Sequence, residues 1–127
     1  MAEVQADYSL LLDMLRDGAA RVGMLEREAR SALYADKDTG RHRALMEQRA
    51  QTLIDLESKA ADLLDALPDA ERRKTRSALR AFADGARTAL DLGSVFYMSA
   101  LLYRDNHKEG EPDKLQALVD DLETRLR

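Results

Sequence analysis

The chain has 127 residues, of which 45% are hydrophobic and 35% are charged, and its net charge is −4. This length suits a single domain, and the apolar fraction is high enough for a core, which argues against an intrinsically disordered chain. The lack of cysteine excludes disulfides and thiolate metal sites, and the interspersed acidic and basic residues argue against a general nucleic-acid-binding protein.

The first predicted element is a helix over residues 3–35. Apolar and small residues recur there in alternating steps of three and four, which is the spacing of a helix that packs along one seam. Gly18 lies on this seam, so it either permits the close approach of another helix or breaks the helix locally. The seam consists of Val4, Tyr8, Leu11, Leu15, Gly18, Val22, Leu25, Ala29 and Ala32.

A second helix is predicted over residues 40–67, after a turn in which Asp38 or Thr39 could cap its first turn. Arg49 falls on the apolar stripe of this helix and interrupts it. The stripe consists of Met46, Leu53, Leu56, Ala60, Leu63 and Leu67.

The third predicted helix covers residues 69–104. Pro68 suits a first helical position, and Asp69 and Glu71 favour the positive end of the helix dipole. A short amphipathic helix over residues 112–126 follows a polar loop. The seam of the third helix consists of Thr75, Leu79, Phe82, Ala86, Ala89, Gly93, Phe96, Ala100 and Tyr103.

These elements predict an all-α fold in one domain, since no segment alternates as a strand does. The connections between the helices are short, so sequential helices should run antiparallel. We therefore expect an elongated antiparallel bundle of three long helices with a short C-terminal helix.

The run from Leu92 to Tyr103 contains no charged residue. A membrane-spanning helix needs about 20 apolar residues, so this run is too short to cross a bilayer. The first ten residues include acids and lack the basic start of a secretory signal. We therefore expect a cytoplasmic protein without a membrane partner.

The outward positions of the third helix become apolar at Val95, Met98 and Leu102, so that its second half is apolar nearly all round. Such a helix requires neighbours on every side. The last helix, a second copy of the chain or a foreign protein could provide them. The candidate partner-binding residues are Val95, Met98, Leu101, Leu102, Leu118 and Leu122.

No motif for phosphate binding, zinc hydrolysis or a nucleophilic serine is present, so we expect no catalytic residue, cofactor or metal site. Helical nucleotide hydrolases hold Mg²⁺ with acidic pairs on facing helices. The corresponding pairs here are Asp62 with Asp65 and Asp120 with Glu123, and both also suit a solvent-facing surface.

Four arginines of the third helix share one outward face. This face is either a site for a phosphate or an acidic partner, or a solvated surface paired with acids on neighbouring helices. The four residues are Arg73, Arg76, Arg80 and Arg87.

The hairpin from Leu25 to Leu64 combines a Glu-rich helix, an Asp-containing turn, and a helix with regularly spaced leucines and basic residues. These features are carried by Glu26, Leu33, Asp36, Leu45, Arg49 and Leu56. In this pattern the chain resembles the bacterial flagellar and type III export chaperones, which are small acidic cytosolic proteins. The resemblance implies a plan of three long helices and a short last helix that can cover a partner-binding surface.

We therefore expect a non-enzymatic protein-interaction module, in the manner of a secretion-chaperone-like adaptor, that uses an apolar face of the third helix. A homodimer is a further expectation, because a second copy could cover the same face. The alternatives are a toxin-neutralising or inhibitory helical protein and an Mg²⁺-dependent nucleotide hydrolase.

Overall fold

The computed structural model of the protein describes residues 2–102 and 113–126, except for the side chains of residues 2–7 and 99. Within these ranges every regular element is helical and no strand occurs. The predicted all-α class is therefore confirmed. The elements are α1 (Ala2–Tyr34), α2 (Thr39–Ala60), a 3-10 turn (Leu63–Ala66), α3 (Asp69–Leu92), α4 (Val95–Ala100) and α5 (Lys114–Leu126).

Helix α1 continues without a break through Gly18 and packs along α2. A Cβ atom at Gly18 would lie 2.9 Å from Cδ1 of Leu56, so the missing side chain lets α2 approach closely. Of the two predictions for Gly18, close approach is the one observed. Most of the predicted α1 seam is observed. Tyr8 is half-buried, and the side chain of Val4 lies outside the described part of the chain. The buried seam residues are Leu11, Leu15, Val22, Leu25, Ala29 and Ala32.

Helix α2 starts after Asp38, whose side chain accepts a hydrogen bond of 3.0 Å from the backbone N–H of Arg41. The predicted helix over residues 40–67 is wrong at its end, because α2 stops at Ala60 and a 3-10 turn follows. Such a turn has three residues per revolution and places Leu64 and Leu67 on the same side. Both side chains are buried, whereas Leu63, predicted on the stripe, is only half-buried.

The predicted single helix over residues 69–104 is not observed, because α3 ends at Leu92. Gly93 adopts a left-handed conformation with φ of 62°. The backbone N–H groups of Gly93 and Ser94 then donate to the carbonyls of Leu90 and Ala89, which is the Schellman arrangement that closes a helix.

Helix α4 starts immediately after this turn. The hydroxyl of Ser94 accepts a hydrogen bond from the backbone N–H of Tyr97 and so caps the new helix. Because the chain changes direction at Gly93, the side-chain phase of α3 does not carry over into α4. Phe96, predicted on the seam, is exposed, and Met98, predicted on the outer face, is buried.

Helix α5 packs against α1 and, less extensively, against α3. The carboxylate of Asp113 accepts a hydrogen bond of 2.8 Å from the backbone N–H of Gln116 at its start. An ion pair of 2.7 Å joins Glu123 to Arg16 of α1. The predicted residues 103–104 and 112 lie outside the described part of the chain.

The buried side chains form two groups. The main core draws on α1, α2, α3, α5, the 3-10 turn and Leu102. A smaller group, which we call the satellite cluster, lies where α4 meets the first three helices. It consists of Leu25, Ala29, Ala32, Leu45, Met46, Ala89 and Met98.

Candidate interaction surface

Large apolar side chains are exposed where α3 gives way to α4. Phe96 is 75% exposed, Leu92 is 61% exposed and Tyr97 is 54% exposed. The rings of Phe96 and Tyr97 meet edge to face, with their centroids 5.7 Å apart. We call these three residues the α4 surface.

The opposite side of α4 fixes the orientation of this surface. Met98 and Leu102 are one helical turn apart and are 1% and 0% exposed, so they anchor the segment to the interior. Phe96 and Ala100 are also one turn apart, on the outward side. Because Met98 and Leu102 are buried, the side chain of Phe96 on the other side of the helix faces solvent.

Two arginines of α2 bind the backbone of the α3–α4 junction. Arg43 donates a hydrogen bond of 2.8 Å to the carbonyl of Gly93. Arg49 donates one of 2.8 Å to the carbonyl of Met98, in the last turn of α4. A cation at this end of a helix is favoured, because the last carbonyls carry partial negative charge.

Arg49 is buried almost completely, with 1% of its surface exposed. Burial lowers the pKa of the Arg49 guanidinium, and the charges of Glu26 and Asp113 oppose that shift. An arginine nonetheless stays protonated at neutral pH. The residue that interrupts the stripe of α2 in the sequence is thus a fixed positive charge that binds α4.

A groove of about 440 Å³ lies between the end of α1, the start of α2 and Ala100 of α4. Its floor contains Ala29, Leu33 and Met46, and its edge includes the exposed ring of Tyr34. Ala100 also lines this groove, so the outward side of α4 links it to Phe96. The groove is therefore of mixed character, because Glu26, Arg30 and His42 line it together with these apolar residues.

The candidate partner-binding residues from the sequence occupy two environments. Met98, Leu102 and Leu122 are buried in the chain's own core. Val95, Leu101 and Leu118 are half-buried. The satellite cluster covers Met98, and the main core, which includes two buried leucines and a valine of α5, covers Leu102.

The α4 surface itself was not among the residues selected from the sequence. Phe96 fits the uninterrupted heptad of the third helix as predicted over residues 69–104, and this fit predicts a buried side chain. The pair Gly93–Ser94 was the available signal, because glycine favours the position after a helix and serine favours the position before one.

The basic face of α3 is paired with acids, as one of the two interpretations predicted. Arg76 lies 3.2 Å from Asp65, and Arg80 and Arg87 lie 3.7 Å and 3.3 Å from Glu57. Three of the four arginines therefore form ion pairs with acidic residues of α2 or the 3-10 turn.

The acidic pairs considered for Mg²⁺ also contribute to ion pairs between elements. Asp65 contacts Arg76, and Glu123 contacts Arg16. Within residues 2–102 and 113–126, no group of three potential ligands is placed to hold a metal ion. None of the helices described there has the length and apolarity needed to span a membrane.

Comparison with known proteins adds no relative from which a role could be transferred. No family model matches the chain, and no curated protein or solved structure has significant similarity to it.

Proposed function

We propose that the protein is a non-enzymatic interaction module that binds a protein partner through the α4 surface. The observation that carries this proposal is the exposure of two adjacent aromatic rings on a helix whose opposite side is buried. Aromatic residues dominate the energetics of many protein interfaces, because they bury a large area at a small loss of conformational entropy.

The binding residues in this proposal differ from those selected in the sequence. Leu92, Phe96 and Tyr97 are accessible without any rearrangement. Val95 and Leu101, which are half-buried, would lie at the edge of the contact. Met98, Leu102 and Leu122 would support the surface from below.

The resemblance to flagellar and type III export chaperones suggests a secretion-chaperone-like adaptor as the class of module. The plan predicted from the sequence, three long helices and a short last one, is the reason for this choice of class. In such an adaptor, the partner would be an export substrate with an apolar helical segment, and the protein would act in the cytoplasm.

Replacing both exposed rings should abolish partner binding without disturbing the fold. We expect wild-type protein to recover a specific partner from an extract of its source organism, and the double variant Phe96→Ser/Tyr97→Ser to recover at least about tenfold less. Quantitative mass spectrometry of the captured proteins is the measurement, and circular dichroism should show unchanged helix content.

The matched control is Leu10→Ser, because Leu10 is 59% exposed and belongs to a different surface on α1. This variant should recover the partner as wild type does. Equal recovery by all three proteins would refute the proposal. Sedimentation velocity tests whether the partner is a second copy of the chain. A homodimer formed through the α4 surface would be lost in the double variant and kept in Leu10→Ser.

A further inference from the structure

Helix α4 is short, and one fully buried side chain anchors it to the interior. Of its described side chains only Met98 is buried, and Phe96, Tyr97 and Ala100 are exposed. A six-residue helix is not stable alone, because its few hydrogen bonds do not offset the cost of forming the first turn. The position of α4 therefore depends on its contacts with α2 and α3.

Helix α2 holds both ends of α4. Arg43 binds the carbonyl of Gly93 before α4 starts, and Arg49 binds the carbonyl of Met98 near its end. Between these contacts, the Met98 side chain inserts into the satellite cluster. Release of this segment thus requires the Met98 side chain, the half-buried Val95 and these two hydrogen bonds to separate from their partners.

The two flanks of α4 differ in how firmly they are fixed. A Cβ added at Gly93 would have no neighbour within 4 Å, so this flank is held by the hydrogen bonds of the Gly93 backbone to Leu90 and Arg43 and not by side-chain packing. On the other flank, Leu101 packs against Gly85 and Leu102 lies in the main core. Rotation at Gly93, together with a compensating rotation just before Leu101, can therefore displace α4 while the main core stays intact.

We propose that residues 94–100 form a hinged cover that opens from the satellite cluster while the main core stays folded, with Arg49 as the positioning residue that sets the frequency of opening. Opening exposes the apolar side chains that Met98 now covers, including Ala29, Met46 and Ala89. It also displaces Phe96 and Tyr97, which α4 carries. The cover is independent of whether the α4 surface binds a partner.

Thiol labelling can measure this opening, because the chain has no cysteine of its own. Ala89→Cys places a thiol beneath α4, and Ala86→Cys places one in the main core one turn earlier in α3. The two alanines are 1% and 0% exposed, so the variants are closely matched. The rate at which a small maleimide labels each folded variant is divided by the labelling rate of the same variant unfolded in denaturant.

We expect the Ala89→Cys variant to label at least about tenfold faster than the Ala86→Cys variant, because local opening needs less free energy than global unfolding. Adding Arg49→Met should accelerate labelling of Ala89→Cys by about another tenfold. Labelling of Ala86→Cys should change only as much as the rate of global unfolding does. Fraying of the α3 terminus alone would not respond to Arg49.

Equal normalised rates for the two thiols would overturn the proposal, as would an Arg49→Met effect that is the same at both positions. If Arg49→Met prevents folding, Arg43→Met tests the other contact from α2, because Arg43 is exposed and its hydrogen bond to the Gly93 carbonyl holds the start of the cover. No change in Ala89→Cys labelling with that variant would then count against a cover held by α2.

Discussion

At the scale of single residues, Gly18 determines how closely α1 and α2 approach. The two helices are antiparallel, with Gly18 beside Leu56 and the end of α1 beside the start of α2. Glycine weakens an isolated helix by about 1 kcal/mol relative to alanine. The contact with Leu56 provides a packing reason for a glycine in the middle of a long helix.

Gly18→Ala and Gly23→Ala should therefore differ in effect although both glycines lie inside α1. At Gly23 an added Cβ would meet only a terminal nitrogen of Arg27 at 3.4 Å, so alanine should raise the free energy of unfolding by up to about 1 kcal/mol. At Gly18 the same gain is opposed by displacement of Leu56, which costs about 1–3 kcal/mol in a packed interior.

Urea unfolding of the two variants and wild type provides the measurement. We expect Gly18→Ala to be less stable than Gly23→Ala by about 1 kcal/mol or more. Equal stabilisation by both substitutions would mean that Leu56 adjusts freely and that Gly18 is not needed for packing.

Arg49 illustrates what the sequence could not predict about single residues. Its place on an apolar stripe was evident, but a helical pattern does not reveal which distant carbonyl a long side chain can reach. Met98 is 49 residues away along the chain, and its carbonyl is near Arg49 only because the chain turns at Gly93. The buried cation therefore became interpretable only with the tertiary fold.

At the scale of elements, periodicity predicted the buried face wherever a helix continued. The seam of α3 is correct through Ala89, since Thr75, Leu79, Phe82, Ala86 and Ala89 are all buried. It fails beyond Gly93, because a heptad can be extended across a glycine that in fact ends the helix. Because of that one break, the sides of α4 that were expected to face inward and outward are interchanged. The candidate site therefore lies on different residues from those expected.

Helix α5 is an element whose role the sequence left open between core and cover. Leu122 is 3% exposed and packs in the main core with residues of the other helices. Leu122→Ala should therefore lower the free energy of unfolding by about 2–5 kcal/mol. Leu92→Ala, at a position that is 61% exposed, should change it by less than about 0.5 kcal/mol.

Chemical denaturation followed by circular dichroism compares these variants directly. A small effect of Leu122→Ala, similar to that of Leu92→Ala, would show that α5 contributes little to the stable core. It would then favour the role of a detachable cover for α5 as well as for α4.

At the scale of the whole molecule, ion pairs between elements surround the core. Asp121 of α5 contacts Arg125 at 3.0 Å and Lys74 of α3 at 3.3 Å. The hydrogen bond from Arg125, together with that from Lys74, holds the pKa of Asp121 below its ordinary value of 3.8. The network has both signs of charge, in keeping with the interspersed charges of the sequence.

This shift predicts how acid affects the folded state. Because the carboxyl has a lower pKa when folded than when unfolded, its contribution to stability is present above pH 3.8 and is lost as the pH falls through the folded pKa. NMR titration should place the Asp121 midpoint below 3.8. Arg125→Gln should raise this midpoint, and Arg76→Gln, which removes a contact to Asp65, should not.

The bridge that α5 makes between α1 and α3 has a kinetic consequence. Arg16 and Glu123 are 107 residues apart in sequence, whereas α1 with α2 and α2 with α3 are neighbouring hairpins. Contacts between near segments form early, since they close short loops, and the α5 contacts should form after the folding transition state. Weakening α5 would then accelerate unfolding and leave the rate of folding almost unchanged, so α5 determines the lifetime of the native state.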